Sequence, residues 1–147
     1  MYICGQLGQG HNEICAPNIV KVQHLNDIIF LHCAGGATSV VDSQNNVFSF
    51  GGNNRGQLGV GDEEDRNTPT LIEALRDIKI TSVSSSNFHS MFLSEDGHVY
   101  VCGGNEKGKL GFRFNLDVLK EKMEEVGENL INSEILLKSI EINIINN

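Results

Sequence analysis

This sequence predicts an all-β fold: an incomplete β-propeller of two to three four-stranded antiparallel blades, followed by one C-terminal amphipathic helix. Three observations carry that prediction. The phrase Gly51-Gly52-Asn53-Asn54-Arg55-Gly56-Gln57-Leu58-Gly59 returns 52 residues later as Gly103-Gly104-Asn105-Glu106-Lys107-Gly108-Lys109-Leu110-Gly111. A shorter echo, Gly5-Gln6-Leu7-Gly8-Gln9-Gly10, lies 51 residues ahead of Gly56-Gln57-Leu58-Gly59-Val60-Gly61. Between these phrases, short apolar runs recur in the same phase. Several strands and one glycine loop in a period of about fifty residues describe one propeller blade.

The elements follow in order. Ala16-Pro17-Asn18-Ile19-Val20 loosely echoes Thr68-Pro69-Thr70-Leu71-Ile72. Thr38-Ser39-Val40-Val41 answers His89-Ser90-Met91-Phe92, and Asn45-Asn46-Val47-Phe48-Ser49-Phe50 answers Asp96-Gly97-His98-Val99-Tyr100-Val101-Cys102 with one residue fewer. In the better-preserved unit the expected strands are residues 70–75, an apolar stretch after a proline, and 78–83, which alternates apolar and polar residues. Residues 90–93 and 99–102 then flank Ser94-Glu95-Asp96-Gly97, a hairpin turn whose Asp-Gly pair suits positive φ. Asn45-Asn46 serves the equivalent turn upstream. Residues 30–111 should therefore hold eight strands, within one, and Gly52/Gly104, Gly56/Gly108 and Gly59/Gly111 should occupy equivalent positions, several at φ > 0.

After Gly111 the character changes. Leu116, Leu119, Met123, Val126 and Leu130 are spaced for one face of a helix, with charged residues on the others. A helix packed on its own blade is the expectation, with a partner-binding helix as the alternative; barely two heptads are too few for a coiled-coil seam. Residues 133–140 loosely match 69–75, and Ile142-Asn143-Ile144-Ile145 reads as the next strand. The expected organisation is thus residues 1–111 as propeller repeats, with units of approximately 4–55 and 56–107. Residues 112–132 form a helical insertion, and 133–147 begin a further, truncated repeat.

These residues carry a resemblance. An apolar residue, an aromatic or Cys, then Gly-Gly-Asn, two variable positions and Gly-Gln-Leu-Gly-x-Gly resembles the repeat of the regulator of chromosome condensation family. Residues 84–90, Ser-Ser-Ser-Asn-Phe-His-Ser, are similar to that family's glycine-His-Ser segment, and an Asp-Gly hairpin follows. The resemblance covers roughly residues 4–111. Departures are Phe50 and Cys102 where a tryptophan or other large aromatic often stands, Lys109 in place of the glutamine seen at Gln57, and Thr38 where histidine is common. It implies a seven-bladed propeller, which needs about 350 residues at this period; the chain has 147. Met1-Tyr2-Ile3-Cys4-Gly5 resembles Val99-Tyr100-Val101-Cys102-Gly103, yet a loop of about five residues is missing before Gln6 when judged against the family pattern. A fragment, a short descendant or a truncated gene product would each read this way.

Charge and composition exclude several functions. The formal net charge is −8, and no cationic cluster exists to release counterions from a phosphate backbone, so direct nucleic-acid binding is not expected. Cys4, Cys15, Cys33 and Cys102 form no CxxC pair, no signal-peptide pattern opens the chain, and no apolar run reaches membrane length. A cytoplasmic or nuclear setting fits best. Gly103 to Lys109 matches the first seven positions of a phosphate-binding loop, but Leu110 stands where Ser or Thr must hold magnesium. The upstream copy has Gln57 at the lysine position, so the spacing belongs to the repeat. His11, His24, His32, His89 and His98 show no zinc-ligand spacing with the cysteines. His89 reads as structural, with an imidazole bonded to a backbone carbonyl. No cofactor, metal or catalytic residue is expected.

The candidate partner-contact loop is Asp62-Glu63-Glu64-Asp65, ahead of Arg66: either a solvated loop or a contact for a basic partner. The structural repeat glycines are Gly51, Gly52, Gly56, Gly59, Gly103, Gly104, Gly108 and Gly111. The reading of function is a non-enzymatic protein–protein interaction module. The alternative implied by the resemblance is a guanine-nucleotide exchange factor, or part of one, for a Ran-like small GTPase. Two to three blades also leave open sheet edges, and Val47, Phe48, Phe92 and Val99 are expected on an unclosed axis-facing surface. The expectation is that the isolated chain either self-associates through those edges or folds poorly.

Overall fold

The computed structural model describes residues 5–12, 16, 18–111 and 142–143. Among the described residues, eight strands make two antiparallel sheets. In the first, β1 (Ile28–Ala34), β2 (Ala37–Asp42), β3 (Val47–Gly51) and β4 (Arg66–Leu71) lie in chain order. In the second, β5 (Ile80–Ser85), β6 (His89–Ser94), β7 (His98–Gly103) and β8 (Ile142–Asn143) repeat that order. Only 3-10 turns, Glu73–Leu75 and Glu106–Gly108, break the β character among the described residues. The predicted all-β blade architecture is what the chain adopts.

Each turn has its expected cause. Asn45, at φ 66°, and Gly97, at φ 88°, supply the left-handed residue of the β2–β3 and β6–β7 hairpins. Asp42 stiffens the first of these: its carboxylate accepts from the Gln44 N–H at 2.9 Å and the Asn46 N–H at 2.8 Å. Gly51 and Gly103 sit at φ 111° and 105°, where an added Cβ would collide with the carbonyl oxygens of Gly36 and Phe88. The repeat glycines pair as expected: Gly56 and Gly108 at φ 71° and 73°, Gly59 and Gly111 at 69° and 78°. Gly52 and Gly104 are the exceptions, with no positive φ. They match in another way: each donates its N–H to the carbonyl, of Gly36 and Phe88, that its preceding glycine crowds.

Four expectations need correction. Residues 70–75 are not a strand: the strand is Arg66–Leu71, and Glu73–Leu75 turns as a 3-10 helix. That strand also closes the first sheet on β3 rather than opening the second. It is a sheet edge, which explains why Pro69, lacking an N–H, is tolerated within it. Residues 142–143 do not start a new unit, since they pair with β7 as the second sheet's fourth strand, Val99 opposite Ile142. The expected helix over 112–132 lies outside the described residues.

The third correction is register. Ala37 faces Gly51 as His89 faces Gly103. The shift between repeats at β2 and β6 is therefore 52, and Thr38 matches Ser90, not His89. The fourth concerns Val47, Phe92 and Val99. All three are buried, and Val47 and Phe92 belong to the core between the sheets with Val41, Ile72, Leu75, Ile80, Val83 and Tyr100. Period-two alternation shows that a strand has two faces without showing which one meets the neighbouring sheet. The exposed large apolar side chains of strand β1 are instead Ile28, Ile29, Phe30 and Leu31.

The two sheets approach most closely at β1 and β5, their first strands, as wedge-shaped blades do near a common axis. His32 Nε2 lies 3.3 Å from the Ser85 carbonyl oxygen across that approach. At the far end, the Asn45 side chain donates to the Ile78 carbonyl and accepts from the Ile80 N–H at 2.9 Å. One hairpin amide thus clamps the first sheet to the segment that enters the second.

Candidate functional site: the glycine-loop face

Because β2 and β6 start, and β3 and β7 end, on the same side of their sheets, the glycine loops gather on one face. The first loop turns around Asn53, which is fully buried. Its Oδ1 accepts the Leu58 N–H at 2.9 Å, its carbonyl accepts the Gly56 N–H at 2.9 Å, and its Nδ2 donates to the Asp62 carbonyl at 2.8 Å. The second loop repeats the design with Asn105, whose Oδ1 accepts the Leu110 N–H at 3.0 Å and whose carbonyl accepts the Gly108 N–H at 3.0 Å. Near the chain start, the Gly8 N–H bonds the Gly5 carbonyl at 2.9 Å, as the Gly59 N–H bonds that of Gly56 at 3.1 Å. These amides are occupied by the loop itself. Within Gly103–Lys109, which resembles a phosphate-binding loop in spacing, the Gly104 N–H is taken by the Phe88 carbonyl and the Gly108 N–H by that of Asn105, so neither is free to cradle a phosphate. Lys109 itself pairs with Glu106 at 2.8 Å and lies 5.7 Å from the centre of the Phe88 ring.

Each loop is stapled to the sheet that follows it. Ser90 donates its hydroxyl to the Gln57 carbonyl at 2.8 Å, and Thr38, at the equivalent position, donates to the Gln6 carbonyl at 3.0 Å. A Cβ at Gly8 would strike the Phe50 ring, and one at Gly59 would crowd the Cys102 sulfur at 3.1 Å. Phe50 and Cys102 thus do the same job: they carry the preceding loop. Where a large aromatic is missing, burial of Cys102 under that loop pushes its thiol up to about 12. His89 closes the β5–β6 turn with Nδ1 2.8 Å from the Ser86 hydroxyl, a side-chain partner rather than the expected backbone carbonyl.

The four acidic candidates split into two pairs. Asp65 Oδ1 accepts the Asn53 N–H at 2.7 Å. Asp62 accepts the Glu64 N–H at 2.9 Å and the Asn53 Nδ2 at 3.2 Å, and pairs with Arg66. Partial burial pushes the Asp62 carboxyl up, but the Glu64 N–H, Arg66 and Asn53 outweigh it and hold it below the ordinary carboxylate range. Asp62 and Asp65 therefore build the loop. Glu63 and Glu64 are exposed on it, Glu64 reaching Arg66 only at 3.8 Å. Glu106 on the neighbouring loop is held low chiefly by Lys109, and Arg55 bridges to it at 3.6 Å. No group of three His, Cys, Asp or Glu could hold a metal, and no helix is long and apolar enough to cross a membrane, among the described residues.

Sequence reasoning found the glycines and the turn at Asn45, but missed the loop-holding roles of Asn53 and Asn105, the Asn45 clamp on Ile78 and Ile80, and the Thr38/Ser90 staples. The in-phase return of Asn two places after Gly51 and Gly103 was the available signal. The regulator of chromosome condensation (RCC1) repeat matches residues 44–93, and a second description of the same repeat matches 80–109. The chain belongs to the regulator of chromosome condensation repeat family. The human X-linked retinitis pigmentosa GTPase regulator is 34% identical over 126 residues, which cover 84% of this chain and 12% of that protein. The crystal structure of human WBSCR16 shares the fold, with a TM-score of 0.64 at 20% identity, over 70% of this chain and 27% of that one. Prp20p of Saccharomyces cerevisiae aligns with a TM-score of 0.50 at 26% identity, over 54% of this chain and 19% of its own. The chain spans about a tenth of the length of the first curated relatives it matches. As an RCC1-repeat chain, it carries a protein-interaction module.

Proposed function

We propose that this RCC1-repeat chain binds a basic protein partner through its glycine-loop face, with Glu63 and Glu64 as the contact carboxylates. The carrying observation is the division within the acidic loop. All four are exposed, but Asp62 and Asp65 are spent on holding Asn53 and Arg66, which leaves the Glu63 and Glu64 carboxylates as the pair presented for contact. A rigid loop presenting charge loses little conformational entropy on docking, and charge complementarity sets approach rate and partner choice. The similar Prp20p has binding properties toward Gsp1p and histones, and histones are basic. Protein recognition, without nucleic-acid contact or membrane insertion, in a cytoplasmic or nuclear setting is the proposal's scope.

Titration with core histones, monitored by calorimetry at low and moderate salt, tests it. The expected result is binding that weakens as salt rises and is lost at least tenfold in the Glu63→Lys/Glu64→Lys double variant. Binding indifferent to those carboxylates would refute the assignment. The second reading is nucleotide exchange on a Ran-like GTPase, favoured by the similarity to Prp20p. Exchange factors act by inserting groups near the nucleotide, so their sequences need no acid–base set. Release of fluorescent GDP from such a GTPase, accelerated by this chain, would support that reading over simple binding.

A further inference from the structure

Phe88 stands at the tip of the β5–β6 turn, on the same face as the glycine loops, and is 41% exposed. Leaving that much aromatic surface in water forgoes the gain of burying it, yet the turn is built to hold the ring there. His89 Nδ1 meets the Ser86 hydroxyl at 2.8 Å, the Ser86 N–H donates to the His89 carbonyl at 2.8 Å, and the Phe88 carbonyl accepts the Gly104 N–H at 2.6 Å. The adjoining Asn87 backbone abuts Gly35, where a Cβ would have no room. The exposure belongs to the position. Its equivalent in the first sheet, 52 residues earlier, is Gly36, where an added Cβ would meet nothing within 4 Å although the second sheet lies alongside. Asn54 and Arg55, the equivalents of Glu106 and Lys107, are likewise exposed beside that sheet.

We propose that Phe88 is the apolar anchor of the surface that takes the basic partner, so that the recognised segment carries an aliphatic or aromatic side chain next to its Lys and Arg residues. This rests on the reading of Glu63 and Glu64 given above. A continuous strip joins the ring to those carboxylates. Lys109 Nζ lies 5.7 Å from the centre of the Phe88 ring and pairs with Glu106 at 2.8 Å. Arg55 of the first loop reaches Glu106 at 3.6 Å, and a Cβ on Gly56, the next residue, would lie 3.8 Å from the carbonyl oxygen of Asp62, where the acidic loop begins. The charges of Lys109, Glu106 and Arg55 are engaged with one another, whereas Glu63 and Glu64 present theirs at the far end of the strip. An aromatic ring fixed by its turn and flanked by paired charges suits the centre of an interface. It loses little rotamer freedom on docking, and its neighbours help to exclude water.

Calorimetric titration of the full chain with core histones over a salt series separates the two contributions, because exposed ionic contacts are screened by salt and an apolar anchor is not. Phe88→Ala is expected to lower affinity about tenfold at every salt concentration and to leave the salt dependence unchanged. Glu63→Lys/Glu64→Lys should instead flatten the salt dependence, and Phe88→Leu, which keeps an apolar side chain, should retain most of the affinity. Circular dichroism checks the fold of each, and Phe88→Gln replaces Phe88→Ala if alanine unsettles the turn. A folded Phe88→Ala chain that binds as wild type does overturns the anchor and leaves the acidic contact standing. A loss shared in full by Phe88→Leu overturns it too. Weakening by Phe88→Ala beside an unaffected Glu63/Glu64 variant upholds the anchor and sinks the acidic assignment. A wild-type chain that binds no histone overturns both.

Discussion

Replacing Asn53 by alanine is the most informative single perturbation of this fold. Its side chain accepts the Leu58 N–H at 2.9 Å and donates to the Asp62 carbonyl at 2.8 Å. Leu58 and Asn53 are both buried, so the variant leaves the Leu58 N–H without a partner and beyond easy reach of water. An orphaned buried donor costs about 1–3 kcal/mol, and the lost bond to the Asp62 carbonyl adds about 1 kcal/mol. The total is about 3 kcal/mol, which lowers the unfolding midpoint by roughly 10 °C for a unit of this size. Asn105→Ala supplies the comparison, because Asn105 is only partly buried and the loop around it is more exposed; a loss of about 1 kcal/mol is expected there. Asn53→Asp separates the two bonds. It keeps an acceptor for Leu58 but faces Asp62 with a second carboxylate, so it should destabilise at neutral pH and recover on acidification. Thermal unfolding of the three variants by circular dichroism is the assay. Equal and small effects at 53 and 105 would refute the view that Asn53 holds the loop.

Gly51→Ala and Gly103→Ala should each cost more than the roughly 1 kcal/mol expected from φ alone, because the new Cβ also meets a backbone carbonyl; Gly97→Ala, with open space around it, should cost only the φ term, and denaturant midpoints would rank them. Asn45→Gly should destabilise the pairing of the two sheets while keeping the turn, since Gly accepts positive φ but cannot bond Ile78 and Ile80; unchanged stability would show that the clamp carries no energy. Asp62, Asp96 and Glu106 have carboxyls held below their ordinary values, against partial burial by the Glu64 N–H and then Arg66, by Ser94 and His98, and by Lys109 respectively. Folded values below unfolded ones mean stability that is complete above the ordinary carboxylate range and lost as pH falls through the folded values, so the midpoint should drop below about pH 4 and not on the alkaline side. Peptide mapping after brief alkylation at neutral pH should find Cys33 modified and Cys102 protected, given the buried Cys102 thiol at about 12.

Much of the fold was legible because it rests on local chemistry. Gly97 and Asn45 announce hairpins through the φ they tolerate, and the glycine phrase announces its loop through recurrence. Strand β4 was misplaced because Arg66, Asn67 and Thr68 carry no apolar signal; an edge strand held by its ladder to β3 needs none. The Thr38/His89 alignment slipped by one because it matched hydroxyl-bearing neighbours, whereas the structure matches the hydroxyl that reaches the preceding loop, Thr38 with Ser90. Within the acidic loop, nothing in four consecutive carboxylates distinguishes Asp62 and Asp65 from Glu63 and Glu64. That distinction is made by Asn53 and Arg66, placed beside them only when the loop folds.

A charge-matched pair of variants measures the functional claim most directly. Glu63→Lys/Glu64→Lys reverses two charges on the glycine-loop face, and Glu73→Lys/Glu95→Lys reverses two at the opposite end of the sheets, where each now pairs with Arg76 or Lys79. The net charge of the two variants is identical, so a general attraction between an acidic chain and basic histones would weaken equally in both. If Glu63 and Glu64 are the contact carboxylates, calorimetric affinity for histones falls at least tenfold in the first variant and changes little in the second; equal losses, or a greater loss in the second, would contradict that assignment.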